Sequence, residues 1–356
     1  MSTFTTERLR QLVSYAIKGA GFNKLLELST YMGIRVENGM LYLNTTDGTN
    51  YLSVSDSCSA DDMDITVDAD LFTKLISKIT SDTLDMEVND NSLVITGNGT
   101  YKLELVPDES GNALSFPNKF PDKVEDIGKL SATDLNSVVT AVKSSLSGVA
   151  GSVYSNYYFG DVIASTDKAM MSVFNKKVFD DAYLINKEFV DLISMSATDV
   201  TLSKCDDMLL AESSISEKGV ICVCTKIPNN VSEFSIDNVN KFANLDVKSF
   251  CRIRKAELLD LLDRLSLFVS KFDDGAIQLE FEKTGVNVSS LASSGVEFIE
   301  YQECKDVEPI TIKINIERLR NQLKAYFGDV VDLYFGNEIC IKLVDTDITQ
   351  VIALIK

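Results

Sequence analysis

Apolar positions along this chain switch between two periods in a recurring order, a helical spacing followed by strict alternation. Over Asp70 to Leu105, Leu71, Phe72, Leu75, Ile76 and Ile79 recur at helical spacing. Leu84, Met86 and Val88 then alternate, Asn89-Asp90-Asn91 turns the chain, and Leu93 to Ile95 resumes the strand pattern. Asn315 to Ile355 repeats that order: Ile316, Leu319, Leu323 and Tyr326 on a helix, Val331, Leu333 and Phe335 on a strand, a Gly336-Asn337 turn, then Ile339, Ile341 and Leu343. A weaker copy runs from Lys187 to Ile227, with Phe189, Val190 and Ile193, then Val200 and Leu202, a Cys205-Asp206-Asp207 turn, and Met208 to Leu210. A related half precedes each copy and opens with a helix, at Thr6 to Lys18, Thr133 to Ser147 and Arg254 to Lys271. Helix starts thus fall roughly every 60 residues, which predicts six helix-plus-antiparallel-sheet units paired into three domains, an α+β fold.

A chain of 356 residues is long enough for two or three cores, and the repeat selects three. Its apolar content is 45%, yet no apolar run approaches the roughly 18 residues of a membrane span. The opening Met-Ser-Thr-Phe-Thr-Thr-Glu lacks the basic and apolar regions of a secretory signal, so a cytoplasmic location is expected. Seven scattered cysteines, an odd number, fit buried reduced thiols. Cys222 and Cys224 share one strand face, but no second pair or histidine completes a tetrahedral metal shell.

Histidine is absent altogether, which excludes Ser-His-Asp and Cys-His catalysis together with His-ligated metals. No phosphate-binding glycine loop is present: Gly97-Asn98-Gly99 sits inside an alternating pattern and predicts a hairpin. Asp61, Asp62 and Asp64 could serve a magnesium-dependent enzyme only with a further acid group, and a solvated loop is the better reading. No catalytic residue, cofactor or metal is expected.

Charge gives the repeat a direction. The net charge is −19, yet the six predicted helices hold 14 basic and 9 acidic residues, a balance of +5, and the rest of the chain carries −24. On the first helix Leu9, Leu12, Val13 and Ala16 face one way, while Arg8, Gln11, Tyr15 and Lys18 stack on the other. The second sets Lys74, Ser77, Lys78 and Ser81 opposite Leu71, Leu75 and Ile79. Arg264 and Lys271 on the fifth helix, and Arg318, Arg320 and Lys324 on the sixth, extend the pattern; the third is neutral and the fourth negative. With helices on one layer and sheets on the other, one surface is mildly basic and the other strongly acidic. Such a layout suits a curved body that surrounds a polyanion without gripping it.

Three stretches resemble the bacterial DNA polymerase III beta subunits, the sliding clamps. Met40-Leu-Tyr-Leu-Asn-Thr-Thr-Asp-Gly-Thr-Asn-Tyr51 is similar to the family's strand ending in a Thr-Asp-Gly turn. Phe72 to Ile79, Asn91 to Gly97, Tyr101 to Pro107 and Ser115-Phe-Pro117 follow the end of its first domain. Asp161 to Met171 sits where the family runs into Thr-Asp-Gly-His-Arg-Leu. The resemblance implies three tandem clamp domains, 1–126, 127–247 and 248–356, with helices on the inner face and sheets outside. It further implies a head-to-tail homodimeric ring around double-stranded DNA, a tethered DNA polymerase, a clamp-loader ATPase that opens the ring, and no catalysis. A clamp-like scaffold for transcription or repair factors is the alternative.

The implied DNA channel holds Arg8, Arg10, Lys18, Lys24, Lys74, Lys78, Lys143, Arg264, Lys271, Arg318, Arg320 and Lys324. Lys18 and Lys24 fall near the family's basic loop, and Gly148 to Tyr158 matches a loop that touches the duplex. The implied partner-peptide pocket takes Tyr154, Thr166, Asp167, Lys168, Met170, Met171, Phe242, Leu245, Ile352, Leu354 and Ile355. Lys168-Ala169-Met170 replaces the family's Gly-His-Arg, and Ile352-Ala-Leu-Ile-Lys356 replaces its Met-Pro-Met-Arg-Leu tail, so a different peptide is expected. A phage-encoded or otherwise divergent member fits these departures. Neutralising Arg8, Lys74, Lys78 and Arg318 together is expected to weaken association with duplex DNA and flatten its salt dependence, measured by titration at several ionic strengths.

Overall fold

The computed structural model describes residues 2–292 and 294–356, with the side chains of Ser2 and Lys271 outside that description. Among the described residues the chain forms seven α-helices: α1 Thr6–Ala16, α2 Ala69–Lys78, α3 Ala132–Thr140, α4 Lys187–Ile193, α5 Ile236–Ala243, α6 Lys255–Leu265 and α7 Ile316–Ala325. All but α5 follow one rule. A short strand enters, the helix starts at once, and three antiparallel strands return. The entry strands are Ser2–Thr5, Met63–Asp68, Glu125–Leu130, Tyr183–Asn186, Ser249–Arg254 and Ile310–Asn315. Strand-to-helix turns are made locally: Asp68 accepts a hydrogen bond from the Leu71 amide and Asn315 from the Arg318 amide, each satisfying a free N–H of the first turn.

The entry strands are exchanged between neighbouring repeats. Ser2–Thr5 pairs with Thr83–Asn89 of the second repeat, while Met63–Asp68 pairs with Tyr31–Glu37 of the first. The third and fourth repeats exchange in the same way, Glu125–Leu130 onto Val200–Cys205 and Tyr183–Asn186 onto Asn156–Phe159. So do the fifth and sixth, Ser249–Arg254 onto Val330–Phe335 and Ile310–Asn315 onto Ala276–Phe281. A second kind of pairing joins last strands to last strands. Asn50–Ser57 of the first repeat runs antiparallel to Val220–Lys226 of the fourth, Asn50 opposite Thr225 and Ser55 opposite Val220. Met170–Phe174 of the third runs antiparallel to Ile348–Ala353 of the sixth, Met170 opposite Ile352 and Phe174 opposite Ile348.

Two compact units result, Met1–Thr133 with Glu188–Ile227, and Asp134–Lys187 with Pro228–Lys356. The first contains an eight-stranded and a four-stranded sheet, and the second a nine-stranded and a four-stranded sheet. In the first unit α1 buries Leu9, Leu12, Val13 and Ala16, as its spacing predicts. Helix α2 is rotated from the sequence expectation. It buries Ala69, Phe72 and Ile76, and Leu71 is 55% exposed beside Lys74 and Lys78. Helical spacing alone fitted both stripes, and the larger Phe72 side chain took the core.

The second unit's core lies between its two sheets, filled by Leu258, Leu261, Leu262 and Leu265 of α6 and by Ile316, Leu319 and Leu323 of α7. Phe281 stacks on Phe335 with ring centroids 3.7 Å apart. Helix α5 departs from the one-layer expectation. With Ile236, Val239 and Ala243 it packs on the other face of the nine-stranded sheet, against Ala164, Met171 and Val173. Among the described residues no helix is long and apolar enough to cross a membrane. Phe335→Ala is expected to destabilise this unit by about 3–5 kcal/mol, read as a lower denaturation midpoint.

Candidate functional site

The predicted cations divide into committed and uncommitted groups. The Arg8 Nε donates to Asp56 Oδ2 at 2.6 Å and its Nη1 to Gln11 at 2.5 Å, which ties α1 to the strand Asn50–Ser57. Arg10 donates to the Ile79 carbonyl at 2.5 Å and so closes the C-terminal end of α2. Lys74 pairs with Asp70 one turn away at 2.6 Å. Arg264 makes a two-pronged pair with Glu297, Nε to Oε1 at 2.9 Å and Nη2 to Oε2 at 2.5 Å, which holds the Glu297 carboxyl below its usual range. Arg320 pairs with Glu317 and Asp263. Lys143 lies half-buried in the 3₁₀ turn Val142–Ser145, and the Lys271 side chain is outside the described residues.

Lys18, Lys24, Lys78 and Lys324 are exposed and Arg318 is half-exposed, and among the described residues none of the five makes an ion pair. They therefore remain available to an external anion, and Arg8 does not. Sequence position could not separate the two groups, since Asp56 lies 48 residues from Arg8. Tyr157 and Tyr158, in the stretch Gly148 to Tyr158, are buried in the strand Asn156–Phe159, as tyrosines in a strand commonly are, and Tyr154 is half-buried. Two of the three acids expected in a loop serve the fold: Asp62 accepts from the Asn38 amide, and Asp64, inside the strand Met63–Asp68, accepts from Ser115.

The second site is a cavity of about 300 Å³ on the α5 side of the nine-stranded sheet. Tyr154, Thr166, Lys168, Met171 and Phe242 line it, five of the predicted pocket residues, together with Ser235, Asn238 and Val239. Strand alternation sorts the adjacent methionines. Met171 faces the cavity, while Met170 is buried in the opposite core, its sulfur accepting from Gln322 at 3.6 Å. Ile352 is fully buried in that core and Leu354 packs on it. Ile355 donates its amide to the Lys313 carbonyl, and Leu245 offers its carbonyl to Lys342. None of these four lines the cavity.

Asp167 forms the turn. Its Oδ1 accepts from the amides of Ala169 and Met170 at 2.8 and 2.6 Å, and Thr166 Oγ1 accepts from the Lys168 amide while donating to the Met170 carbonyl. Asp47 and Thr46 make the same bonds around Gly48 in the first repeat. Gly48 has φ +96°, and Lys168, in its place, has φ +78°. A lysine held there carries strain on the order of 1 kcal/mol. Its ammonium lies 5.1 Å from the centre of the Tyr154 ring. Tyr154 is in turn held by Phe234, at 5.5 Å between centroids, and by Ser235.

Helix α5, the wall the sequence reading missed, is short and rich in Asp and Asn. Its signal was Ile236, Val239 and Ala243 at helical spacing after Ser235. Lys342, 9% exposed, donates to the carbonyls of Ala243 and Leu245 and so satisfies its C-terminal end. Burial lowers the Lys342 pKa. A wider opening of about 540 Å³, lined by Tyr158, Val231, Phe234 and Asp237 among others, shares Ser235 and Asn238 with the cavity. Burial raises the Tyr158 hydroxyl pKa.

Lys168→Gly is expected to leave stability within about 1 kcal/mol, because relief of strain offsets the added freedom of the unfolded glycine. Lys168→Val should lose about 1–2 kcal/mol, since a branched side chain fits φ +78° poorly. Thermal melts of the two variants check both.

No protein-family model matches the sequence, and no curated protein matches it either. Solved structures do. A DNA polymerase III beta subunit from Borrelia burgdorferi superposes with a TM-score of 0.85 at 15% identity, covering 100% of this chain and 99% of that one. The beta chain from Streptococcus pneumoniae gives 0.84 at 18%, covering both chains in full. The sliding clamp from Pseudomonas aeruginosa gives 0.86 at 12%, covering 100% and 99%. The chain therefore has, over its whole length, the fold of the DNA polymerase III beta subunits.

Proposed function

We propose that the protein is a DNA sliding clamp. It acts in the cytoplasm as a head-to-tail homodimer that encircles duplex DNA without sequence preference and tethers a DNA polymerase. It is opened by a clamp-loader ATPase and catalyses no reaction. Each copy contributes three domains, 1–126, 127–247 and 248–356.

The pairing of last strands carries this reading. Within the chain the first repeat joins the fourth and the third joins the sixth, an offset of three each time. The last strands of the second and fifth repeats, Thr100–Glu104 and Val296–Glu300, are left as sheet edges. The same offset, continued past the end of the chain, joins the fifth repeat of one copy to the second repeat of another. Two copies use both edges twice, and a head-to-tail contact that closes makes a ring. Both edges expose apolar side chains, Tyr101 at 39% on one, Val296 at 58% and Phe298 at 47% on the other. Edges of that kind are templates for another strand.

Lys18, Lys24, Lys78, Arg318 and Lys324 then supply the contacts to phosphate. Few and scattered, they hold DNA loosely enough to slide, while the −19 net charge discourages binding to the outer surface. Client peptides dock in the cavity beside α5.

Two measurements test the reading. The particle should sediment at about twice 39.3 kDa, and Phe298→Arg should reduce it to one copy. Protein assembled on nicked circular DNA should be lost when the circle is linearised. Equal retention on both forms would instead support a scaffold bound to the side of the duplex.

A further inference from the structure

The cavity beside α5 is lined by eight residues, of which Lys168 alone carries a charge. Three observations set that lysine apart. It occupies a left-handed position, φ +78°, where the identically bonded turn of the first repeat has Gly48. Its ammonium lies over the ring of Tyr154, a ring fixed from behind by Phe234 and Ser235. No ion pair of Lys168 is found among the described residues, in a chain with 53 acidic and 34 basic side chains. A strained backbone with a positioned, unneutralised cation at the rim of a cavity that holds an apolar patch of Met171, Val239 and Phe242 is an arrangement that serves recognition.

We propose that Lys168 reads a carboxylate in the docking segment of a client protein, placed next to the apolar side chain that enters between Met171, Val239 and Phe242. This rests on the client-docking role given above. At about 300 Å³ the cavity lies at the low end of small-ligand sites, so side chains enter it and a folded surface does not. Met171, Val239 and Phe242 supply affinity for the apolar side chain, and the ammonium supplies selectivity. An Asp or Glu side chain and a free C-terminal carboxylate present the same group.

Fluorescein-labelled peptides titrated by anisotropy against the full-length protein test this. One ends in Asp-Leu-Phe-Ala-amide, one in Asn-Leu-Phe-Ala-amide and one in Leu-Phe with a free C-terminus. The Asp peptide should bind the native protein about three- to tenfold more tightly than the Asn peptide, and added salt should narrow that gap. In Lys168→Gly, which keeps the turn, the gap should vanish, and in Lys168→Glu it should reverse. Preference for the free-acid peptide over both amides would assign the carboxylate to a chain end, within the same proposal. If the peptides bind and Met171→Ala weakens them, but Asp and Asn are not distinguished, the Lys168 reading is overturned and the docking role stands. If no Leu-Phe peptide binds and Met171→Ala changes nothing, both fall. Displacement of bound peptide by short single-stranded DNA, abolished in Lys168→Gly, would identify phosphate as the true partner and overturn the proposal.

Discussion

Every repeat of this chain takes its neighbour's entry strand onto its own sheet, and the larger features follow from that exchange. Each three-stranded return has two open sides. The entry strand borrowed from the neighbouring repeat closes one, and for four of the six repeats a last strand from three repeats away closes the other. Unpaired amides and carbonyls are costly wherever water is excluded, and the two exchanges pair backbone that would otherwise lie at open edges. The long sheets of eight and nine strands are the outcome. They run through boundaries that a reading by domains would place between separate bodies, and the two compact units cut across the repeat pairs for this reason.

The helices of the repeat were legible because each buries a stripe long enough to show a period. Leu9, Leu12, Val13 and Ala16 on α1, or Ile316, Leu319 and Leu323 on α7, leave little choice. The entry strands were not legible. Tyr183–Asn186 is four residues long, too short for alternation to declare itself, and it is fixed by a partner strand whose closest register pair, Phe159 opposite Tyr183, is 24 residues apart. The stripe of α2 was ambiguous for a related reason, since Leu71 and Phe72 both continue a helical period and only the packed core chooses between them.

Chemistry at the two candidate surfaces was readable to unequal depth. The stretches that resemble the sliding clamps implied Tyr154, Thr166, Lys168, Met171 and Phe242, which the fold brings to one cavity. They could not say which of two adjacent methionines faces it, because that depends on the register of Met170 opposite Ile352. Among the cations, charge was visible but commitment was not. Arg8 and Lys78 look alike in sequence, yet one is bonded to Asp56 and the other stands in solvent.

The pairing of last strands has a consequence for the chain during its synthesis. Asn50–Ser57 leaves the ribosome with its outer edge bare, and Val220–Lys226 arrives roughly 170 residues later, about 10–30 s at ordinary elongation rates. Met170–Phe174 waits as long for Ile348–Ala353. Contacts this distant in sequence form slowly, and between the emergence of Phe174 and that of Val220 two bare edges coexist. A strand of this design depends on one made long after it: loss of Ile348–Ala353 withdraws the partner of Met170–Phe174 and leaves an adhesive edge on a sheet otherwise formed.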